Sequence, residues 1–439
     1  MSQKTHTPQT SAAISMPWWC SPAGIAVGFL LPLMVLISFA GELSHPALTI
    51  RGVTVLDAHY LRLGGMMILA IALTGWLGAQ LQLGAPPVTR DVRGWDRAAL
   101  GIGGLATFAF VIWFRDFVFN PVLLFQTLTG EFKPDRNTIA LTPGLTSLAN
   151  MGPVFFSVYA FRLLDRREQA LPRAMHVMFV VLGLFTLFRV YVWTERLALI
   201  ELLVPFGLTF GRWTSMQGGG GWHLVRILGP YAAIPMVILF FGASEYFRSW
   251  SSDTYQGKMG FWEFAIGRFA SYYYTSLNNG AGLLANTPWP TWTFEFTLEW
   301  LHRAPFGAGK PFSDAVGYTG PQFDWYLSVY QDEEFNSPSG IYGPLSDLGL
   351  YGGLGYMLAI GLVSGLCFRA YRDGRLLGVL FYPIFFITFM EIYRYPYLGV
   401  PRAFTWTLGI GLALLLAATV KPIPAPRRTA GASSASPAS

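Results

Sequence analysis

The stretch RSWSSDTYQGKMGFWEFAIGRFASYYYTSLNNGAGLLANTPWPTWTFEFTLEWLHRAPFGAGKPFSDAVGYTGPQFDWYLSVYQDEEFNSPS, residues 248–339, decides how this chain is read. It lies between two strongly apolar runs, residues 225–247 and 341–368. It is itself too polar, too charged and too broken by Pro and Gly to cross a bilayer. It is also rich in rings: Trp250, Trp262, Trp289, Trp292, Trp300, Trp325 and the run Tyr272, Tyr273, Tyr274. If the flanking runs are spans, this interval is a large loop where an aqueous substrate is met.

Composition carries the same frame to the whole chain. Of 439 residues, 53% are hydrophobic and only 12% charged, and the mean hydropathy is +0.42, whereas soluble domains carry roughly a quarter charged residues. Long continuous apolar runs call for helices of about 20 residues, since barrel strands need only about 10. The expected fold is therefore an all-α polytopic membrane protein with about ten transmembrane helices. The net charge of +6 comes from short Lys/Arg clusters between apolar runs, which is a topology signal and points away from nucleic acid. The two cysteines, Cys20 and Cys367, fall near the cytoplasmic ends of expected spans, where a disulfide is not expected.

Outward from the loop, the expected spans are residues 23–40, 65–83, 98–118, 145–164, 175–193, a short 197–210, 225–247, 341–368, 376–392 and 404–420. The first is read as an uncleaved signal anchor. Arg90, Arg93 and Arg97, then Arg166, Arg167 and Arg173, then Arg369, Arg372 and Arg375 all fall on one side. The positive-inside rule makes that side cytoplasmic, with both termini on it and residues 248–339 outside. The resulting organisation is a cytoplasmic segment 1–22, seven helices over 23–247, a large periplasmic loop 248–339 between the seventh and eighth helices, three helices over 340–420, and a Pro/Ala/Ser-rich disordered tail 421–439. Within the loop, residues 260–285 are apolar enough to lie as an interfacial helix or dip partway in, and 291–302 form a second short amphipathic helix. No internal repeat is evident, against the usual transporter pattern.

Ionisable residues pressed against apolar spans are costly to bury, so they face a cavity or a partner. Glu195 and Arg196 are of this kind, at an expected tight turn, with Glu201 beyond them inside the membrane. A second cluster, Glu391, Arg394 and Arg402, follows the ninth span, with Arg402 fitting a snorkelling anchor. With Arg268 and Arg303 in the loop, several guanidinium groups gather on the outer face beside aromatics. Their forked donors match phosphate oxygens, so a lipid diphosphate at headgroup level is the natural ligand. The rings Trp262, Trp292 and Tyr273 belong either to an aromatic belt or to a binding surface. Asp324, Glu333 and His302 are the loop groups able to take a proton from a hydroxyl. The glycines at 218–221 lack the Lys and Ser/Thr of a phosphate loop, and the six histidines show no metal-ligand spacing, so neither a metal nor another cofactor is expected.

Two stretches carry a family resemblance. RVYVWTERLALIELLVPFGLTFG, residues 189–211, puts an Arg ahead of a short apolar span. NSPSGIYGPLSDLGLYGGLGYMLAIGLVSGLCFRAYRDG, residues 336–374, joins the large loop to a Gly-rich span. Together with the span order they resemble the oligosaccharide repeat unit polymerases, the Wzy-like O-antigen polymerases of the bacterial inner membrane. Arg303 and Gly320 are an approximate counterpart of a loop Arg followed by Gly described for some members. The resemblance implies transfer of a growing glycan from undecaprenyl diphosphate to the hydroxyl of a new lipid-linked repeat unit, at the periplasmic face. It implies that Arg196, with Arg268 or Arg394, neutralises the leaving diphosphate. It further implies that Asp324, Glu333 or His302 acts as base, that undecaprenyl-diphosphate-linked oligosaccharides are the partners, and that a chain-length regulator binds. An O-antigen ligase shares the multi-span plan, and a lipid-linked glycan flippase is the alternative from another class.

Overall fold

The computed structural model describes residues 15–40, 53–84, 92–132, 134, 141–165, 170–193, 195–217, 222–246, 250, 259–331 and 335–420. Its described residues are all-helical with no strand. Eight helices are long and apolar enough to cross a membrane. In chain order these and the elements between them are α1 (Pro22–Phe39), α2 (Ala58–Gln80), α3 (Arg93–Trp113), α4 (Gly152–Leu164), α5 (Arg173–Trp193), α6 (Arg196–Met216) and α7 (Trp222–Glu245). There follow α8 (Phe261–Asn286), α9 (Gln322–Tyr330), α10 (Gly343–Arg372), α11 (Leu376–Met390) and α12 (Pro401–Ala418). Large side chains stay on the outside, with Met236 71% and Leu415 68% exposed, an arrangement that suits lipid as solvent and not water. The chain is a multi-pass helical membrane protein.

Local chemistry fixes the helix ends that hydropathy misses. Asp57 caps α2 by accepting from the amides of His59 and Tyr60, so the helix starts at Ala58, inside what reads as a polar loop in the sequence. The sixth helix is not short: α6 continues to Met216, because Arg212 within its last turns is neutralised by Asp165 at 2.8 Å. The fourth span opens with a tight 3-10 turn, Thr146–Met151, before α4. α4 itself is 13 residues and buried along nearly its whole length, placing it at the centre of the bundle.

The closest helix pair is α2 with α10. A Cβ on Gly78 would meet the carbonyl oxygen of Leu362 at 2.3 Å, and one on Gly365 would meet that of Gly75 at 2.3 Å. Glycines facing each other let the two backbones touch, the device that replaces hydrophobic drive in lipid.

The loop differs most from expectation. Residues 261–286 do form a helix, but α8 is buried without interruption from Tyr274 to Leu284 and is not wet along one face there. Its polar residues explain this. Asn278 accepts from the amides of Val55 and Leu56 and donates to Val53, while Asn279 donates to the carbonyl of Phe335. The pattern looks amphipathic in sequence because each amide has a backbone partner inside. Residues 291–302 are mostly not helical: only Glu299–His302 forms a turn of helix, and Trp292 and Phe294 adopt positive φ. The segment is instead strapped to the start of α10. Asp347 accepts from the amides of Phe296 and Thr297 and from Thr297 Oγ1 at 2.7–2.9 Å, and Thr291 and Trp292 donate to the carbonyls of Ser346 and Asp347. Just beyond, Gly349 breaks α10 at φ +73°.

Beyond the strap the interval forms a small lobe around Leu283, Phe296, Phe323, Tyr326 and Leu327. Trp300 stacks on Phe404 at 3.9 Å and ties the lobe to α12. The expected tail, residues 421–439, and residues 1–14 lie outside the described residues.

Candidate functional site

At the lobe end of the bundle, five arginines and four glutamates form two adjoining networks that meet at the start of α6. Glu195 receives Arg189 from α5 and Arg402 from α12. Arg402 also reaches Glu201 at 3.4 Å, and Tyr397 donates to the same Glu201 oxygen at 2.6 Å. Arg189 donates to Asn150 at 2.9 Å and lies over the Trp113 ring. Arg402 is therefore a half-buried cross-link between helices and not a snorkelling anchor. Glu195 is held between two guanidinium groups. Removing one member of such a buried set costs about 3–5 kcal/mol, because the partner is left charged in a poor solvent.

The second network gathers the arginines that the sequence singles out for diphosphate. Arg196, first residue of α6, pairs with Glu245 at the end of α7, and Arg268, two turns into α8, approaches the other Glu245 oxygen at 3.6 Å. Arg394, in the turn after α11, pairs with Glu391 at 3.1 Å. The three guanidinium groups surround one ring. Arg196, Arg268 and Arg394 lie 5.5, 5.5 and 5.8 Å from the centre of Tyr272. Phe241 lies under Arg196 at 3.9 Å and Phe335 under Arg268 at 4.5 Å. Aromatic faces hold several cations close together without neutralising them. Arg268 is 1% exposed, and the buried Nε of Arg394 has no hydrogen-bond partner among the described residues. Tyr273 stands beside the cluster, its hydroxyl in the field of Glu391, Arg394 and Arg196. Such a preorganised, partly desolvated set of donors is suited to stabilise developing negative charge.

Other expected site residues lie elsewhere. Arg303 is exposed and pairs with Glu299, one turn away in the lobe. His302 has both ring nitrogens engaged: Nε2 with the Thr293 carbonyl and Nδ1 with Ser313 Oγ. Since a carbonyl only accepts, Nε2 carries the proton, while Ser313 Oγ lies 2.9 Å from Nδ1 and also donates to the Gly309 carbonyl at 3.1 Å. Asp324 is exposed in the first turn of α9, Trp262 is exposed at the start of α8, and Trp292 is exposed on the strap. Glu333 lies outside the described residues.

Three residues that the sequence does not single out belong to the site. Glu245 and Tyr272 are the hubs of the arginine cluster, and Arg189 anchors the neighbouring network. Arg189 and Glu245 were detectable as ionisable groups at the margins of apolar runs; Tyr272 was indistinguishable from its neighbours in a run of three tyrosines. In the lobe, Glu295 is 8% exposed and accepts from the amides of Gln322 and Phe323. Burial pushes its carboxyl up to about 7, against the two amides, which lower it. Among the described residues, no three His, Cys, Asp or Glu side chains are grouped as a metal would need. Comparison with protein-family models, curated proteins and solved structures finds nothing that matches the chain.

Proposed function

We propose that the chain is a bacterial inner-membrane glycosyltransferase that polymerises undecaprenyl-diphosphate-linked oligosaccharide repeat units at the periplasmic face. The observation that carries this reading is the ring of Arg196, Arg268 and Arg394 around Tyr272. It sits at the end of apolar helices, where a lipid diphosphate presents its head. In the reaction the bond from the anomeric carbon to the diphosphate oxygen breaks, and the bond to the acceptor hydroxyl oxygen forms. The acceptor proton passes to a carboxylate, and the diphosphate leaves with added negative charge. The three guanidinium groups stabilise that charge, and Glu391 lies within the cluster, paired with Arg394. All ten expected crossings are used in this reading, with the shorter α4 and α11 completing the set.

The placement of charge favours transfer at a surface over passage through the membrane, because the buried ion pairs lie towards the two ends of the bundle and not along a midplane path. The deciding experiment is deletion of the gene in its host, with lipid-linked and surface glycans sized by gel and mass spectrometry. Polymerisation predicts single repeat units accumulating on undecaprenyl diphosphate and loss of the long ladder. Long lipid-linked chains left unattached would mean a ligase, and repeat units retained on the cytoplasmic side a flippase; either replaces the polymerase reading. A chain-length regulator is the expected protein partner and would co-purify from the same membranes.

A further inference from the structure

A cleft of about 730 Å³ opens in the lobe, away from the arginines. One wall is the strap, presenting Thr291, Thr293 and Glu295; the other is the turn 317–322 and α9, presenting Tyr318, Gln322 and Trp325. Its shape is built in. Gly317 and Gly320 take φ +67° and +148°, conformations that bring the turn round without side chains, and Glu295 staples that turn by accepting from Gln322 and Phe323 at 2.9 and 3.2 Å. Tyr318 is propped from behind by His302, ring centres 4.0 Å apart. Trp325 is 52% exposed, although α9 has a core to bury it in.

The lining selects a ligand class. No Lys or Arg is among the lining residues, so the cleft is not made for phosphate. Hydroxyls, an amide and one carboxylate edge a floor of flat rings, which is the complement of a molecule with hydroxyls at its rim and C–H faces between them. The cleft also stands in line with the arginine cluster, because α8 carries both. Tyr272 lies among the guanidinium groups, Gly282 packs on Tyr326 of the lobe, and the fourteen residues from Tyr272 to the end of α8 at Asn286 span on the order of 21 Å at helical rise.

We propose that this cleft is a saccharide subsite, in which Trp325 and Tyr318 lie against sugar faces and Thr291, Thr293, Glu295 and Gln322 bond sugar hydroxyls. The proposal rests on the glycosyltransferase reading and deepens it: the cleft holds the outlying sugars of a glycan whose reacting end is at the arginines. Glu295, protonated for part of the time near neutral pH, both donates to and accepts from a hydroxyl.

The test uses purified full-length protein in nanodiscs and oligosaccharides released by mild acid from the host's own surface polysaccharide, with saturation-transfer NMR as readout. Saturation of the native fragments is expected, with affinity falling at least about tenfold in Trp325→Ala and in the shape-preserving Thr293→Val, and unchanged in Lys310→Ala, at an exposed lobe residue outside the cleft. No saturation of the wild-type protein by its host's fragments, or equal affinity in both cleft variants, overturns the subsite. Failure of the parent reading looks different. If the deletion strain makes normal glycans, polymerisation falls whatever NMR shows; if deletion abolishes the ladder while both cleft variants restore it at the wild-type rate, the subsite alone falls.

Discussion

Arg268 and Glu295 are both buried ionisable groups, yet the surroundings assign them opposite tasks. Arg268 shares Glu245 with Arg196, and both guanidinium groups are held over aromatic rings. Arg268→Ala is expected to lower polymer formation by at least about a hundredfold, the scale on which preorganised charge acts, and also to destabilise the fold by leaving Glu245 less well compensated. The double variant Arg268→Ala with Glu245→Gln separates the two effects: it is expected to regain expression and thermal stability while the glycan ladder stays absent. Return of the ladder in the double variant would show that Arg268 serves structure alone. Glu295 supplies a pH signature. Its folded carboxyl titrates near 7 against 4.5 for the free group. Being raised, it contributes most below pH 4.5, loses that contribution as pH rises towards 7, and adds nothing further above. The size is at most roughly 3 kcal/mol. The difference in melting temperature between wild type and Glu295→Gln, scanned from pH 4.5 to 8, is expected to favour wild type at the acid end and to narrow or reverse by pH 8. A pH-independent difference would refute the assignment.

The elements that were legible in the sequence are those whose identity depends on length and hydropathy: α5, α7 and α12 sit within a few residues of the expected spans. The elements that were not legible depend on particular partners. Neither the amides of Asn278 and Asn279 nor the carboxylate of Asp347 announces in sequence which backbone groups it will satisfy, so α8 reads as interfacial and the strap reads as a helix. The same limit hid half of the candidate site. Arg196, Arg268 and Arg394 stand out as guanidinium groups near span ends, whereas Glu245 and Tyr272, which bring them together, are defined only by contact. The strap is the part most open to test. Asp347→Ala leaves three buried donors unsatisfied, each costing about 1–3 kcal/mol, and α10 begins and breaks under this strap. Limited proteolysis of the variant is expected to cut between Pro288 and Arg303 at least about tenfold faster than wild type, with Asp347→Asn intermediate because one acceptor oxygen remains. Equal cutting in all three proteins would mean that Trp300 on Phe404, and not Asp347, holds the lobe.

Across the whole molecule, the two ends of the bundle use arginine differently. At the end opposite the lobe lie Arg93, Arg97, Arg162, Arg173, Arg212, Arg226, Arg369, Arg372 and Arg375, of which Arg162 pairs with Asp96, Arg212 with Asp165 and Arg369 with Asp373. At the lobe end the five arginines of the buried networks are matched by four glutamates and turned inward. In the proposed orientation the end richer in arginine stays in the cytoplasm, because Lys and Arg near span ends resist translocation, and the lobe lies outside. The native thiols leave this open to direct measurement, since Cys20 and Cys367 are both buried. A single cysteine introduced at exposed Ser328 of α9 is expected to react with a membrane-impermeant maleimide in spheroplasts, and one at Gln217, just past α6, only after the membrane is opened. The reversed pattern would place the arginine cluster on the cytoplasmic side. There a periplasmic lipid-linked acceptor could not reach it, and the same cluster would instead face substrates before their translocation.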